Sequence, residues 1–119
     1  MSYKKIKCMK RVVLLSVFVA FAIIAVKADP AKKVNLSFQN GKLKVEAIHK
    51  VKDVKKHFID QIVIKVDGKE VKTISLKSQS STDAEIIEVP VPEIKKGSKV
   101  EVTTRCNEFG LKSGKLTVE

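Results

Sequence analysis

Three side chains beyond the first 28 residues could bind a metal or act as nucleophiles through imidazole or thiol chemistry: His49, His57 and Cys106. The two histidines flank one loop, "HKVKDVKKH", and Cys106 closes the alternating run "EVTTRC" just before a glycine turn, "NEFG". Neutral imidazole and thiolate are good ligands for iron, copper and zinc. A His₂Cys set therefore points to a metal centre if the three residues meet. Spacing alone leaves other readings open. Two histidines in a lysine-rich loop can simply be solvated. A single cysteine can be a buried small hydrophobe, a partner in an intermolecular disulfide or a reactive thiol.

Convergence depends on the elements that carry these residues. Val34, Leu36 and Phe38 alternate with polar residues, and Leu43, Val45 and Ala47 resume the alternation after Asn40-Gly41. That dipeptide is a strong hairpin signal, because both residues tolerate positive φ. Beyond the basic loop, Phe58, Ile62, Ile64 and Val66 are expected on one face, with Asp67-Gly68 as a second turn before Val71 to Leu76. A polar loop, "KSQSSTDA", leads to "EIIEVPV", where Pro90 and Pro92 predict an edge strand or its end. Val100, Val102, Thr104 and Cys106 share a face, and Leu116 and Val118 close the domain. No window has sustained helical periodicity, so the chain reads as all-β, an antiparallel β-sandwich of about seven strands. His49 ends one strand, His57 opens the next and Cys106 ends another, so one end of the sandwich can hold all three. A chain this short has a thin core, to which a bound metal could add stability.

The first 28 residues read as a secretory signal. Lys4, Lys5, Lys7, Lys10 and Arg11 precede the apolar run "VVLLSVFVAFAIIAV", and Val26 and Ala28 stand where a signal peptidase reads. The run is shorter than the roughly 20 residues of a comfortable span. Cleavage after Ala28 is expected, leaving one domain over 29–119 in a periplasmic or secreted protein. Contact with a membrane is then expected only through an uncleaved signal. Cys8 leaves with the signal, so Cys106 is the one thiol of the mature chain.

Charge and motifs exclude several functions. The chain has 24 basic and 13 acidic residues; six basic and no acidic ones fall in 1–28, leaving 18 against 13. The remaining lysines are interspersed with acids, there is no tryptophan, and the one tyrosine, Tyr3, is in the signal. Nucleic-acid binding is not expected. Glycine-rich phosphate loops, serine elbows and paired carboxylates at recognisable spacing are also absent.

"HKVKDVKKHFIDQIVIKVDGKEV", followed by "RCNEFGL", resembles the iron-binding domain of the desulfoferrodoxin and superoxide reductase family over roughly residues 41–118. The resemblance rests on motif order, the hydrophobic pattern and the Asp-Gly turn. It implies an immunoglobulin-like sandwich holding a mononuclear non-haem iron near the surface. In that family histidines surround the iron, a cysteine thiolate binds along the axis, and an open position receives superoxide, which is reduced to peroxide. By that likeness His49, His57 and Cys106 are metal ligands. Asn107, Gly110 and Leu111 match the neighbours that shape the cysteine loop. Lys50, Lys55 and Lys56 supply positive potential that attracts the anionic substrate.

The sequence also departs from the family pattern. Phe109 stands where the family has its last histidine, no histidine lies between Asp29 and Ile48, and Lys50 and Lys112 replace a proline and a tryptophan. Three of the family's five ligands thus have counterparts. Water or carboxylates could fill the gaps, with Asp53, Asp60 and Glu108 near in sequence, or the set could hold zinc or copper instead. The expected function is that of an exported, iron-binding domain with a redox role on superoxide or in electron transfer; a superoxide reductase-like activity requires an intact site. The alternative is a non-catalytic interaction module with a protein partner. "GKLKVEAIHKV", "IVIKVDGKEV" and "SGKLTVE" resemble the carrier subunit of the periplasmic thiosulfate-oxidising system.

Overall fold

The computed structural model describes residues 28–119; the predicted signal, apart from Ala28, lies outside them. Seven strands follow one another: β1 Lys33–Gln39, β2 Lys42–Ile48, β3 Ile59–Val66, β4 Lys69–Ser75, β5 Ala84–Pro90, β6 Lys99–Cys106 and β7 Leu111–Thr117. They form two antiparallel sheets, ordered β1-β2-β5 and β4-β3-β6-β7. The expected all-β sandwich is what the chain adopts. Among the described residues no helix is long and apolar enough to cross a membrane.

Local sequence explains the hairpins. Asn40 and Gly41 have φ of 55° and 75°, and Asp67 and Gly68 have 50° and 83°. Positive φ at both central residues is the primed turn whose twist matches that of the flanking strands. Pro90 ends β5, which is an edge strand, where a missing N–H costs no ladder bond.

The core lies between the sheets. Leu43, Val45 and Ala47 of β2 face Ile59, Ile62 and Ile64 of β3 and Val100, Val102 and Cys106 of β6, all essentially inaccessible to water. Thr104 shares that buried face and donates its hydroxyl to the Lys112 carbonyl at 3.0 Å. The sheets meet most closely where β7 passes β1. A Cβ on Gly114 would collide with the Val34 carbonyl oxygen, so that position admits only glycine.

One expectation fails at the start of β3. Phe58 is not the inward partner of Ile62; Ile59 is, at 0% exposure, and Phe58 lies before the strand. The cause is a β-bulge. Ile59 pairs with Cys106 and Gln61 with Arg105, so Asp60 is an extra residue that reverses the alternation. Strict alternation cannot register an inserted residue.

Antiparallel pairing also determines which loops meet. Ile48 at the end of β2 is opposite Lys33 at the start of β1 and Ala84 at the start of β5. Ile59 at the start of β3 is opposite Cys106 at the end of β6. The segment before β1 and the β2–β3, β4–β5 and β6–β7 connections therefore gather at one end of the sandwich.

Candidate metal centre

His49, His57 and Cys106 come together at that end. One ring nitrogen from each histidine and the cysteine sulfur all lie within 4.8 Å of one another. The imidazoles meet edge to face, with centroids 4.7 Å apart and planes at 89°. His49 and Cys106 are buried, while His57 sits at the rim with its side chain about 20% exposed.

Each residue has its own support. His49 follows β2 directly, and its backbone N–H donates to the Asp83 carbonyl at 3.0 Å. Gln79, buried in the β4–β5 loop, fixes its ring. The Gln79 amide nitrogen donates to the carbonyls of His49 at 2.7 Å and Ser81 at 2.9 Å, which orients the amide. Its oxygen then faces His49 Nδ1 at 2.8 Å and the Ile59 N–H at 3.3 Å. Nε2 faces a second acceptor, the Asp29 carbonyl at 2.9 Å, so the ring is held on both sides, and Gln79 orients it as outer partners orient metal-binding histidines.

The loop bearing His57 is clamped to the cysteine turn by Asn107. Its backbone N–H donates to the Phe58 carbonyl at 3.0 Å, its side-chain oxygen accepts from the Phe58 N–H at 2.9 Å, and its amide donates to the Lys56 carbonyl at 2.9 Å. Two carboxylates flank His57. Glu108 Oε2 lies 3.0 Å from Nδ1, and Asp29 Oδ2 lies 3.0 Å from Nε2. The second contact is off the hydrogen-bond line, so Nε2 is a buried nitrogen with no hydrogen-bond partner.

Cys106 Sγ accepts the Glu108 N–H at 3.3 Å. Burial pushes the Cys106 thiol above its ordinary range, against the opposing pull of that N–H, and the nearby carboxylates of Asp29, Glu108 and Asp60 add to the rise. A metal at this point must displace a proton held by the sulfur.

These residues fit a transition metal: the donor set is imidazole and thiolate, one imidazole nitrogen is buried without a partner, and an outer acceptor orients the other ring. Other expected residues lie elsewhere. Asp60 pairs with Arg105, Oδ1 to Nε at 2.8 Å, and Asp53 accepts the Lys55 N–H in a tight turn. Phe109 is 66% exposed with φ of 82° and contributes no ligand. Lys50 and Lys52 line a shallow depression with Asp29, Asp53, His57 and Glu108, whereas Lys55 and Lys56 are exposed on the same loop. Sequence reasoning missed Gln79 and Asp29. Nothing in the polar "KSQSSTDA" loop marks the glutamine, and Asp29 stands next to the predicted cleavage point, away from the motifs.

The chain is a seven-stranded sandwich with a His₂Cys cluster at the β2–β3 and β6–β7 end, and comparison with solved structures gives the class: the fold is superoxide reductase-like. No protein-family model and no curated protein matches the sequence. Among solved structures, the chain is similar to a superoxide reductase (1Fe-SOR) from Giardia intestinalis. Identity is 12%, with 75% of this chain and 99% of that one covered at a TM-score of 0.54. It also matches a superoxide reductase (neelaredoxin) from Ignicoccus hospitalis, at 12% identity over 73% of this chain and 77% of that one, TM-score 0.46. A superoxide reductase in the oxidized state matches at 16% identity over 81% and 93%, TM-score 0.49. The likeness to the Giardia intestinalis protein supports the fold alone.

Proposed function

We propose that this chain is an exported metal-binding domain in which His49, His57 and Cys106 hold a mononuclear non-haem iron, with a redox role on superoxide or in electron transfer. The observation that carries this reading is the meeting of two imidazole nitrogens and a thiol within 4.8 Å, on elements far apart in sequence. Iron held by His49, His57 and Cys106 would supply one-electron reduction, by which superoxide with two protons would become hydrogen peroxide, given an external electron donor. The chain's own residues bind and tune. Gln79 orients His49 and the Glu108 N–H takes up part of the charge on sulfur, while Lys50, Lys55 and Lys56 are the cations offered to a small anion against the carboxylates of Asp29, Asp53 and Glu108 at the same mouth. Export follows the reading of residues 1–28, with Asp29 as the first residue after cleavage.

Iron-loaded, oxidised protein should show a visible thiolate-to-ferric charge-transfer band that Cys106→Ser abolishes, together with superoxide consumption above that of free iron. A colourless protein that takes up no iron contradicts the reading. A second reading, a non-catalytic interaction module, is favoured by the exposed Phe109 and Leu111 on the β6–β7 turn, at 66% and 64%. It predicts a fold indifferent to chelators and no bound metal.

A further inference from the structure

The chain enters the sandwich at the end that carries the metal centre. Only Lys27 and Ala28 join the apolar run 12–26 to Asp29, whose N–H donates to the Phe109 carbonyl at 3.0 Å. Pro30 packs over Gly110, and the Lys32 N–H donates to the Ile48 carbonyl at 2.7 Å. The entry is thus fixed against both the β6–β7 turn and the end of β2. Three residue steps of at most about 3.6 Å carry Val26 no more than roughly 11 Å from Asp29.

The turn beside this entry is apolar where turn chemistry does not ask for it. Phe109 has φ of 82° and is 66% exposed, at a position where asparagine or glycine costs less. Leu111, two residues on, is 64% exposed. A lone exposed hydrophobic needs no explanation, but a pair at the point of chain entry does. Lys50, Lys52, Lys55 and Lys56 are exposed on the β2–β3 loop, which Asn107 clamps to the same turn. The carboxylates nearby are engaged elsewhere: Asp29 and Glu108 lie against His57, and Asp53 accepts the Lys55 N–H.

We infer that this end of the sandwich docks on the surface of a bilayer containing anionic phospholipid for as long as residues 12–26 remain attached and inserted. The headgroup layer is about 5–7 Å deep on each side, so a tether this short keeps the β6–β7 turn at the headgroups. Phe109 and Leu111 there reach the acyl boundary while the lysines meet phosphates, and an apolar contact joined to a basic patch is what holds a protein on a membrane surface. The mouth of the metal centre then faces the membrane. The inference takes residues 12–26 as a membrane-entering segment and does not depend on a bound metal.

The test uses the full chain, made by cell-free synthesis so that no peptidase acts on it, in vesicles of phosphatidylcholine with phosphatidylglycerol. The chain has no tryptophan, so Phe109→Trp and Lys96→Trp each carry a single emitter. Lys96 lies in the β5–β6 connection at the opposite end, roughly 25 Å away along strands of seven or eight residues. Phe109→Trp emission should shift to the blue on vesicle binding and be quenched by lipids brominated on their acyl chains. Quenching should weaken without phosphatidylglycerol, and Lys96→Trp should stay water-like and unquenched. Vesicle-bound protein in which Phe109→Trp is unquenched, or in which both variants are quenched alike, overturns the inference. So does a full chain that does not bind vesicles. Equal quenching with and without phosphatidylglycerol overturns the choice of an anionic surface. A blue shift already present without lipid, with a doubled mass, assigns the turn to a second copy of the chain instead.

Discussion

One side chain holds both the ring and the backbone of His49: the Gln79 amide nitrogen donates to the His49 carbonyl at 2.7 Å while its oxygen faces His49 Nδ1 at 2.8 Å. Gln79 comes from a different loop, thirty positions away. Gln79→Leu should therefore act twice. It leaves the carbonyls of His49 and Ser81 without their donor, costing about 1–3 kcal/mol in denaturant unfolding. It also frees the ring, lowering metal affinity by roughly 10- to 100-fold. Unchanged affinity in a folded variant contradicts the orienting role.

Asn107 joins the histidine loop to the cysteine turn through donors and acceptors that cannot be exchanged. Asn107→Asp replaces the amide donor to the Lys56 carbonyl with a carboxylate oxygen, so two acceptors face each other. It should destabilise more than Asn107→Ala, which forfeits about 0.5–1.5 kcal/mol for each bond lost. Equal unfolding midpoints for the two variants would show that the clamp is not strained by charge.

The Cys106 thiol keeps its proton to higher pH than a free cysteine because it is buried, with the nearby carboxylates adding to the effect. Metal-free protein should alkylate slowly with iodoacetamide at neutral pH, and the rate should still be rising beyond about pH 9. Bound metal should suppress the reaction. A midpoint below that of free cysteine contradicts the assignment.

Glu85 carries a separate pH dependence. Its buried carboxyl accepts the N–H groups of Ser80 at 3.1 Å and Ile86 at 3.0 Å and pairs with the Ser80 hydroxyl. Burial raises its pKa above the ordinary 4.5, and the two N–H donors offset part of the rise. The folded state therefore binds the proton more tightly than the unfolded one. Stability from this group is complete below about pH 4.5 and is lost as pH rises through the folded value. Glu85→Gln should remove that loss, measured as unfolding free energy between pH 4 and 7; an unchanged slope assigns it to another group.

Much of the architecture was legible because strands at this length follow period two and turns follow residue chemistry. Asn40-Gly41 and Asp67-Gly68 announce their turns, and Val100 to Cys106 announce their buried face. Asp60 was not legible, since a bulge adds a residue without altering composition. The three ligand candidates could be named from residue type and strand ends. Their outer partners could not, because Gln79 and Asp29 reach the site only through the pairing of β2 with β1 and β5. Carboxylates near in sequence were a poor guide. Asp60 faces Arg105, while Asp29, twenty positions before His49, lies against both rings.

The central claim is that His49, His57 and Cys106 hold one metal. The most direct test is metal analysis of the chain purified from iron-replete cells without chelator or added metal, beside Cys106→Ser and the double variant His49→Ala, His57→Ala. The account predicts near-stoichiometric metal, iron foremost, in the parent and its loss in both variants. Folded parent protein that is metal-free and refuses iron, copper and zinc, or metal that survives in both variants, would contradict it.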